Sequence, residues 1–193
     1  MATRLVYFEG EAVPVLRLAE AAGLEASLIK RHDFPDQELM LTLAPPLDGA
    51  LPATLVVYKS LDRPNDKLLE LLLVARHARR LGVKRLVLVA PYLAYMRQDA
   101  AFHPGEIVSQ PLIGGFIDEL YDALITVDPH LHRISRLEEV MPRIKALTLS
   151  GAPRLADLIR MERSNPILMG PDAEVEELEH DTQQGTYNSL VQV

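Results

Sequence analysis

Apolar residues along the chain fall into two alternating rhythms. Short runs rich in β-branched and aromatic residues, "RLVYF", "ASLIKRHDF", "ELMLTL", "ATLVVYKS", "KRLVLVAPY", "DALITVD", "IKALTL" and "NPILMGPD", read as strands. "ATLVVYKS" is continuously apolar, as a buried strand should be, whereas "ELMLTL" alternates more cleanly. Between them lie stretches with apolar residues three and four apart. "VLRLAEAAG" predicts a helix that stops at Gly23. "DRPNDKLLELLLVARHARRLG" is the clearest helix. Asn65 or Asp62 is expected to cap it, Asp66 suits its first turn, Arg79 and Arg80 suit its last, and Gly82 ends it. "IVSQPLIGGFIDEL" and "APRLADLIRM" predict two more, the latter with Pro153 in its first turn. Strands alternating with helices predict an α/β fold: a mostly parallel sheet flanked by helices, with a boundary near Ser150 to Pro153.

Composition narrows the classes. Cysteine is absent from the 193 residues, which excludes disulfides and thiolate metal sites and is compatible with a reducing cytoplasm. "MATRLVYFEGEAVP" does not read as a signal peptide, and no apolar run approaches the roughly 18 residues of a membrane span. The expectation is a soluble, cytoplasmic protein with no membrane partner. The net charge of −7 is concentrated at the end, in Asp172, Glu174, Glu176, Glu177, Glu179 and Asp181, with no Lys or Arg after Arg163. The body is close to neutral, so a basic nucleic-acid footprint is missing. Residues 173–193 are expected to form an acidic, then polar, disordered tail.

In parallel sheets, ligands sit at the carboxyl ends of strands, and two such ends are chemically loaded. Asp128-Pro129-His130-Leu131-His132 follows "LITV". An extended segment would put Asp128, His130 and His132 on one side and Leu131 on the other. A carboxylate with imidazoles can hold a divalent metal, a phosphate, or both. Mg²⁺ prefers oxygen, so Asp128 is the metal candidate, and His130 is a hydrogen-bond donor to a phosphate or transition state. Histidines that merely cap loop carbonyls are an equally open reading. Arg97-Gln98-Asp99 follows the strand ending at Pro91. The guanidinium can fork across phosphate oxygens and the Gln98 amide can pair with a purine edge; the plain alternative is an exposed Arg–Asp pair of little energetic worth. "DFPDQE" groups Asp33, Asp36 and Glu38, on its own an ordinary acidic turn. No nucleophile triad and no Walker-type glycine loop is present in the sequence.

In order and spacing these stretches resemble ribose-phosphate diphosphokinase, the synthetase of phosphoribosyl pyrophosphate. "RPNDKLLELL" is similar to that family's helix opening, "APYLAYMRQD" to its Pro-Tyr-hydrophobic-x-Tyr-x-Arg-Gln-Asp, "ITVDPHLH" to its Thr-hydrophobic-Asp-x-His, "DFPDQE" to its Phe-x-Asp-Gly-Glu, and "NPILMGPD" to its strand ending in Pro-Asp. The resemblance implies transfer of the β,γ-diphosphoryl group of MgATP to the 1-hydroxyl of ribose 5-phosphate. It implies ATP contacts from Arg97 and Gln98, magnesium and phosphate binding by Asp128 and His130 with His130 at the catalytic centre, and a metal or nucleotide role for Asp172. Asp36, Gln37 and Glu38 would reach ATP across a subunit interface of a homo-oligomer. The implied fold is two stacked phosphoribosyltransferase-like α/β domains, of which residues 1–150 would be the first and 151–172 the start of a truncated second.

The departures shape the expectation. The family's second domain carries a basic catalytic loop and an Asp-Asp-x-x-x-Thr-Gly-Gly-Thr-like loop for the 5-phosphate. This sequence has no adjacent Asp pair and no Lys after Lys145. Gln37 stands where the family turn has glycine, and Ala100-Ala101-Phe102 where basic residues follow its Asp. The expected protein is therefore a diphosphokinase chain with its ribose 5-phosphate site largely missing, inactive alone. The alternative is a non-catalytic nucleotide-binding or associating subunit of a full-length synthetase. A separate small phosphoribosyltransferase is argued against by the missing Thr-Gly-Gly-type loop.

Overall fold

The structure is a computed structural model and describes residues 3–43 and 51–162. The expected strand at 165–172, Asp172 and the acidic tail lie outside the described residues. Seven strands form one sheet: β1 Thr3–Phe8, β2 Glu25–Asp33, β3 Leu39–Leu43, β4 Thr54–Tyr58, β5 Arg85–Ala90, β6 Ala123–Val127 and β7 Lys145–Leu149. Their order is β3-β2-β1-β4-β5-β6-β7. Every pairing is parallel except β2 with β3, an antiparallel hairpin. The helices α1 Ala12–Ala22, α2 Pro64–Arg80 and α3 Ser109–Leu120 make the crossovers. Contacts divide the chain between Leu149 and Ser150; α4, Ala152–Glu162, belongs to the second unit.

The central strands are those with continuous apolar runs. Leu55, Val57, Leu86 and Leu88 are wholly buried in β4 and β5, while β3 at the edge alternates as its sequence predicted. α1 begins three residues before its apolar pattern does, because Pro14 falls in the first turn, where its missing N–H costs nothing. It ends where Gly23 turns left-handed (φ 63°) and Leu24 N–H returns to the Ala19 carbonyl at 2.9 Å.

The expected cap of α2 is wrong. Arg63 is the capping residue, at φ 50°, with no side-chain cap. The Asp62 carboxylate instead accepts from Lys67 at 2.7 Å, and the Asn65 side-chain carbonyl accepts from the Tyr95 hydroxyl. Pro64 in first place removes one N–H that would need a partner.

Glu70, on the buried face of α2, carries no such signal in the sequence. It lies between Lys59 Nζ and Arg31 Nη1, each 2.6 Å away, and Lys59 Nζ also sits 3.9 Å from the centroid of the Phe8 ring. α3 is held close to the turn at 137–141. A Cβ on Gly114 would come within 2.9 Å of the Val140 carbonyl oxygen, and buried Asp118 accepts from the Arg143 and Ile144 N–H groups at 2.9 and 2.8 Å.

Candidate functional site

Parallel pairing puts the carboxyl ends of β4, β5 and β6 on one edge of the sheet, and the loops leaving β5 and β6 are tied together there. Val127 N–H donates to the Pro91 carbonyl at 3.2 Å, and Asp128 N–H to the Leu149 carbonyl at 2.9 Å. Further out, Arg133 Nε lies 3.4 Å from Asp99 Oδ1, whose side chain is only 5% exposed. The Arg133 guanidinium also sits 5.9 Å from the Phe102 ring centroid. The loop that lacks basic residues at Ala100-Ala101-Phe102 thus receives a cation from the loop after β6.

That second loop does not stay extended. Asp128 has a positive φ of 42°, which breaks the simple alternation expected for Asp128, His130 and His132. A left-handed residue turns the chain at once, a conformation Asp tolerates better than most. The turn nonetheless brings the His130 and His132 rings together, edge to face with centroids 3.9 Å apart, and Leu131 packs against the core. Asp128 is exposed and His130 half-buried. Beyond them the Glu139 carboxylate accepts from Ser135 N–H, the Ser135 hydroxyl and Arg136 N–H at 2.8, 2.9 and 3.1 Å. These bonds hold Glu139 below the usual carboxylate range, the Ser135 N–H contributing most.

Arg97 is exposed, and its loop is fastened to the start of α3. The Gln98 side-chain carbonyl accepts from both Ser109 N–H and, at 2.8 Å, the Ser109 hydroxyl. The Gln98 main-chain carbonyl accepts from Gln110 N–H at 3.1 Å. Gln98 therefore satisfies two of the N–H groups that a helix start leaves without partners. Its amide nitrogen makes only a long bond, 3.4 Å, to the Ala100 carbonyl. Gln110, Ser109 and Arg133 were not singled out in the sequence. Arg133 lies five residues past Asp128, but nothing local in the sequence connects it to Asp99.

The third candidate loop is elsewhere. Asp36, Gln37 and Glu38 are exposed in the β2–β3 hairpin. β2 is four places from β6 in the sheet, about 19 Å at roughly 4.8 Å per strand. Gln37 has φ 70°, the left-handed conformation that its place in a glycine-type turn suggested. At the end of β2, Arg31 holds Asp33 below the usual carboxylate range through bonds of 2.7 and 3.0 Å. An open cleft of ≈ 460 Å³, lined by Arg63, Asn65, Tyr92 and Tyr95 among others, runs between the start of α2 and the loop after β5, and Arg97 is not part of its lining.

The described residues hold no cluster of three or more His, Asp or Glu side chains arranged for a metal. Mg²⁺ needs none when it arrives on phosphates, since one or two carboxylates with waters and phosphate oxygens complete its shell. Asp128 on its exposed turn fits such an ion. No helix among the described residues is long and apolar enough to cross a membrane.

A mostly parallel seven-stranded sheet flanked by helices, with chemically loaded loops on its carboxyl edge, makes the described residues an α/β domain of the kind that binds ligands at its strand ends. Residues 5–120 match the N-terminal domain of ribose phosphate pyrophosphokinase, and the chain belongs to that family. A ribose-phosphate pyrophosphokinase of Methanopyrus kandleri is 34% identical over 84% of this chain and 54% of the relative. One from Halobacterium salinarum is 30% identical over 80% and 52%. The chain thus spans about half the length of these curated relatives. The phosphoribosylpyrophosphate synthetase of Mycobacterium smegmatis superposes with a TM-score of 0.79 over all of this chain and 65% of that one, at 16% identity, a likeness of fold.

Proposed function

We propose that this chain binds MgATP at the β5 and β6 strand ends for diphosphoryl transfer to ribose 5-phosphate. The 1-hydroxyl oxygen of the sugar attacks the β-phosphorus, its proton is lost, and the bond from that phosphorus to the α,β-bridging oxygen breaks. AMP leaves with the bridging oxygen, and phosphoribosyl pyrophosphate forms. Arg97 grips the polyphosphate, the Gln98 amide nitrogen remains available to the base, and His130 donates to the transferring group. Asp128 would hold Mg²⁺, and the ion would supply neutralisation of phosphate charge. Positioning and electrostatics carry the chemistry. Asp36, Gln37 and Glu38 reach the nucleotide from a second copy in a homo-oligomer, which fits their distance from β6 within one chain.

The observation that carries this reading is the Asp99–Arg133 pair, which joins the Arg97 loop to the Asp128–His130 loop. The test is calorimetric titration of the chain with MgATP. Binding should weaken about tenfold or more in Arg97→Ala, and Asp128→Asn should weaken it only when magnesium is present. Lack of MgATP binding, or an unchanged Arg97→Ala, overturns the reading. A nucleotide-binding subunit without turnover is the second reading, favoured by Ala100-Ala101-Phe102, which stand where basic residues follow the Asp in the resembling family. AMP release by this chain alone, dependent on ribose 5-phosphate, would eliminate it.

A further inference from the structure

We infer that Gln110 is the positioning residue for Arg97. Gln110 is 3% exposed, at the second position of α3, and it holds the backbone on both sides of that arginine. Its side-chain amide donates to the Met96 carbonyl at 3.1 Å, and its main-chain N–H donates to the Gln98 carbonyl at 3.1 Å. The first bond fixes the peptide plane that enters Arg97, and the second the plane that leaves Gln98. Met96 itself is locked in the core at 1% exposure, and the chain has just turned through Tyr95 at φ 63°. The 97–98 peptide lies between two pinned planes, so the backbone freedom of Arg97 is narrowed to what those two ends allow.

The inference rests on the reading that Arg97 binds polyphosphate. A guanidinium on a fixed stem loses less freedom on meeting its anion, so the clamp converts directly into affinity. Gln110→Met keeps the volume and the main-chain N–H but removes the donor to Met96. Gln110→Met should raise the Kd for MgATP about tenfold. It should add nothing in an Arg97→Ala background, and should speed hydrogen exchange of the amides at 97–100 without doing so in β4 or β6. If Gln110→Met does not fold, Gln110→Asn, with a donor one methylene short, carries the same test.

An unchanged Kd in Gln110→Met beside a weakened Arg97→Ala overturns the inference and leaves the nucleotide site standing. A loss from Gln110→Met that persists in full in the Arg97→Ala background also overturns it, since the residue then acts through the fold in general. An Arg97→Ala protein that binds MgATP like the wild type removes the nucleotide assignment of Arg97 and the inference with it.

Discussion

Gln37 holds a left-handed backbone in an exposed hairpin turn (φ 70°), a conformation that costs a residue with a Cβ about 1–2 kcal/mol. Gln37→Gly removes that strain but loosens the unfolded chain, for a net gain of about 0.5–1 kcal/mol. A raised urea midpoint would show it, and a lowered one would mean that the turn is unstrained. Glu70 is a larger stake. Arg31, 30% exposed, can swing its charge into water if Glu70 goes, but Lys59 at 7% cannot. Glu70→Ala should therefore cost about 3–5 kcal/mol in denaturant unfolding, and a cost under about 1 kcal/mol would mean that the lysine finds water. Glu11 sets a pH dependence. Burial pushes its carboxyl above the usual 4.5, against the opposing pull of the Ser60 N–H 2.7 Å away. A carboxyl raised in the folded state contributes stability below its ordinary value and loses it as pH climbs through the raised one. Glu11→Gln should gain on the wild type as pH rises from 4.5, and a constant difference between the two unfolding curves would refute this.

At the scale of elements, α3 shows why helical pattern alone misplaces a start. "IVSQPLIGGFIDEL" is apolar from Ile107, yet the helix begins at Ser109, where Gln98 takes up its first N–H groups. The two adjacent glycines of that helix have opposite duties. A Cβ at Gly115 meets nothing within 4 Å, whereas one at Gly114 meets the Val140 carbonyl oxygen at 2.9 Å. Gly115→Ala should stabilise by up to about 1 kcal/mol through helix propensity. Gly114→Ala should destabilise by about 1–3 kcal/mol through overpacking. Thermal unfolding of the two variants checks the pair, and equal shifts would mean that α3 does not approach the 137–141 turn so closely.

Across the whole molecule, the sheet order separates what the sequence motifs suggest belong together. The Asp36–Glu38 hairpin and the Asp128–His130 turn are on the same edge of the sheet but four strands apart. In the proposed oligomer, Arg97→Ala damages one contributor to a composite site and Glu38→Gln the other. Mixing the two weakened proteins should restore part of the MgATP binding, because some sites then receive both intact loops. A mixture no better than its components would place the hairpin outside the site.

The class of fold, the mostly parallel strand succession, the alternation of β3 and the two loaded strand ends were legible in the sequence. Each depends on local periodicity, or on residues within a few positions of a strand end. Asp62 and Asn65 misled as caps because capping competes with partners such as Lys67 and Tyr95, one of which is brought in from another loop. The turn at Asp128 broke the expected alternation because a backbone torsion, not a residue pattern, set it. Glu70 between its cations, Arg133 on Asp99, and Gln110 holding the carbonyls beside Arg97 depend on groups between 11 and 39 residues apart meeting in space. Charge and hydrogen bonding act over a few ångströms without regard to sequence distance, so the order of residues determined which elements form and where chemistry sits on them. Only the tertiary structure decided which buried charges are paired and which side chains hold the candidate site in shape.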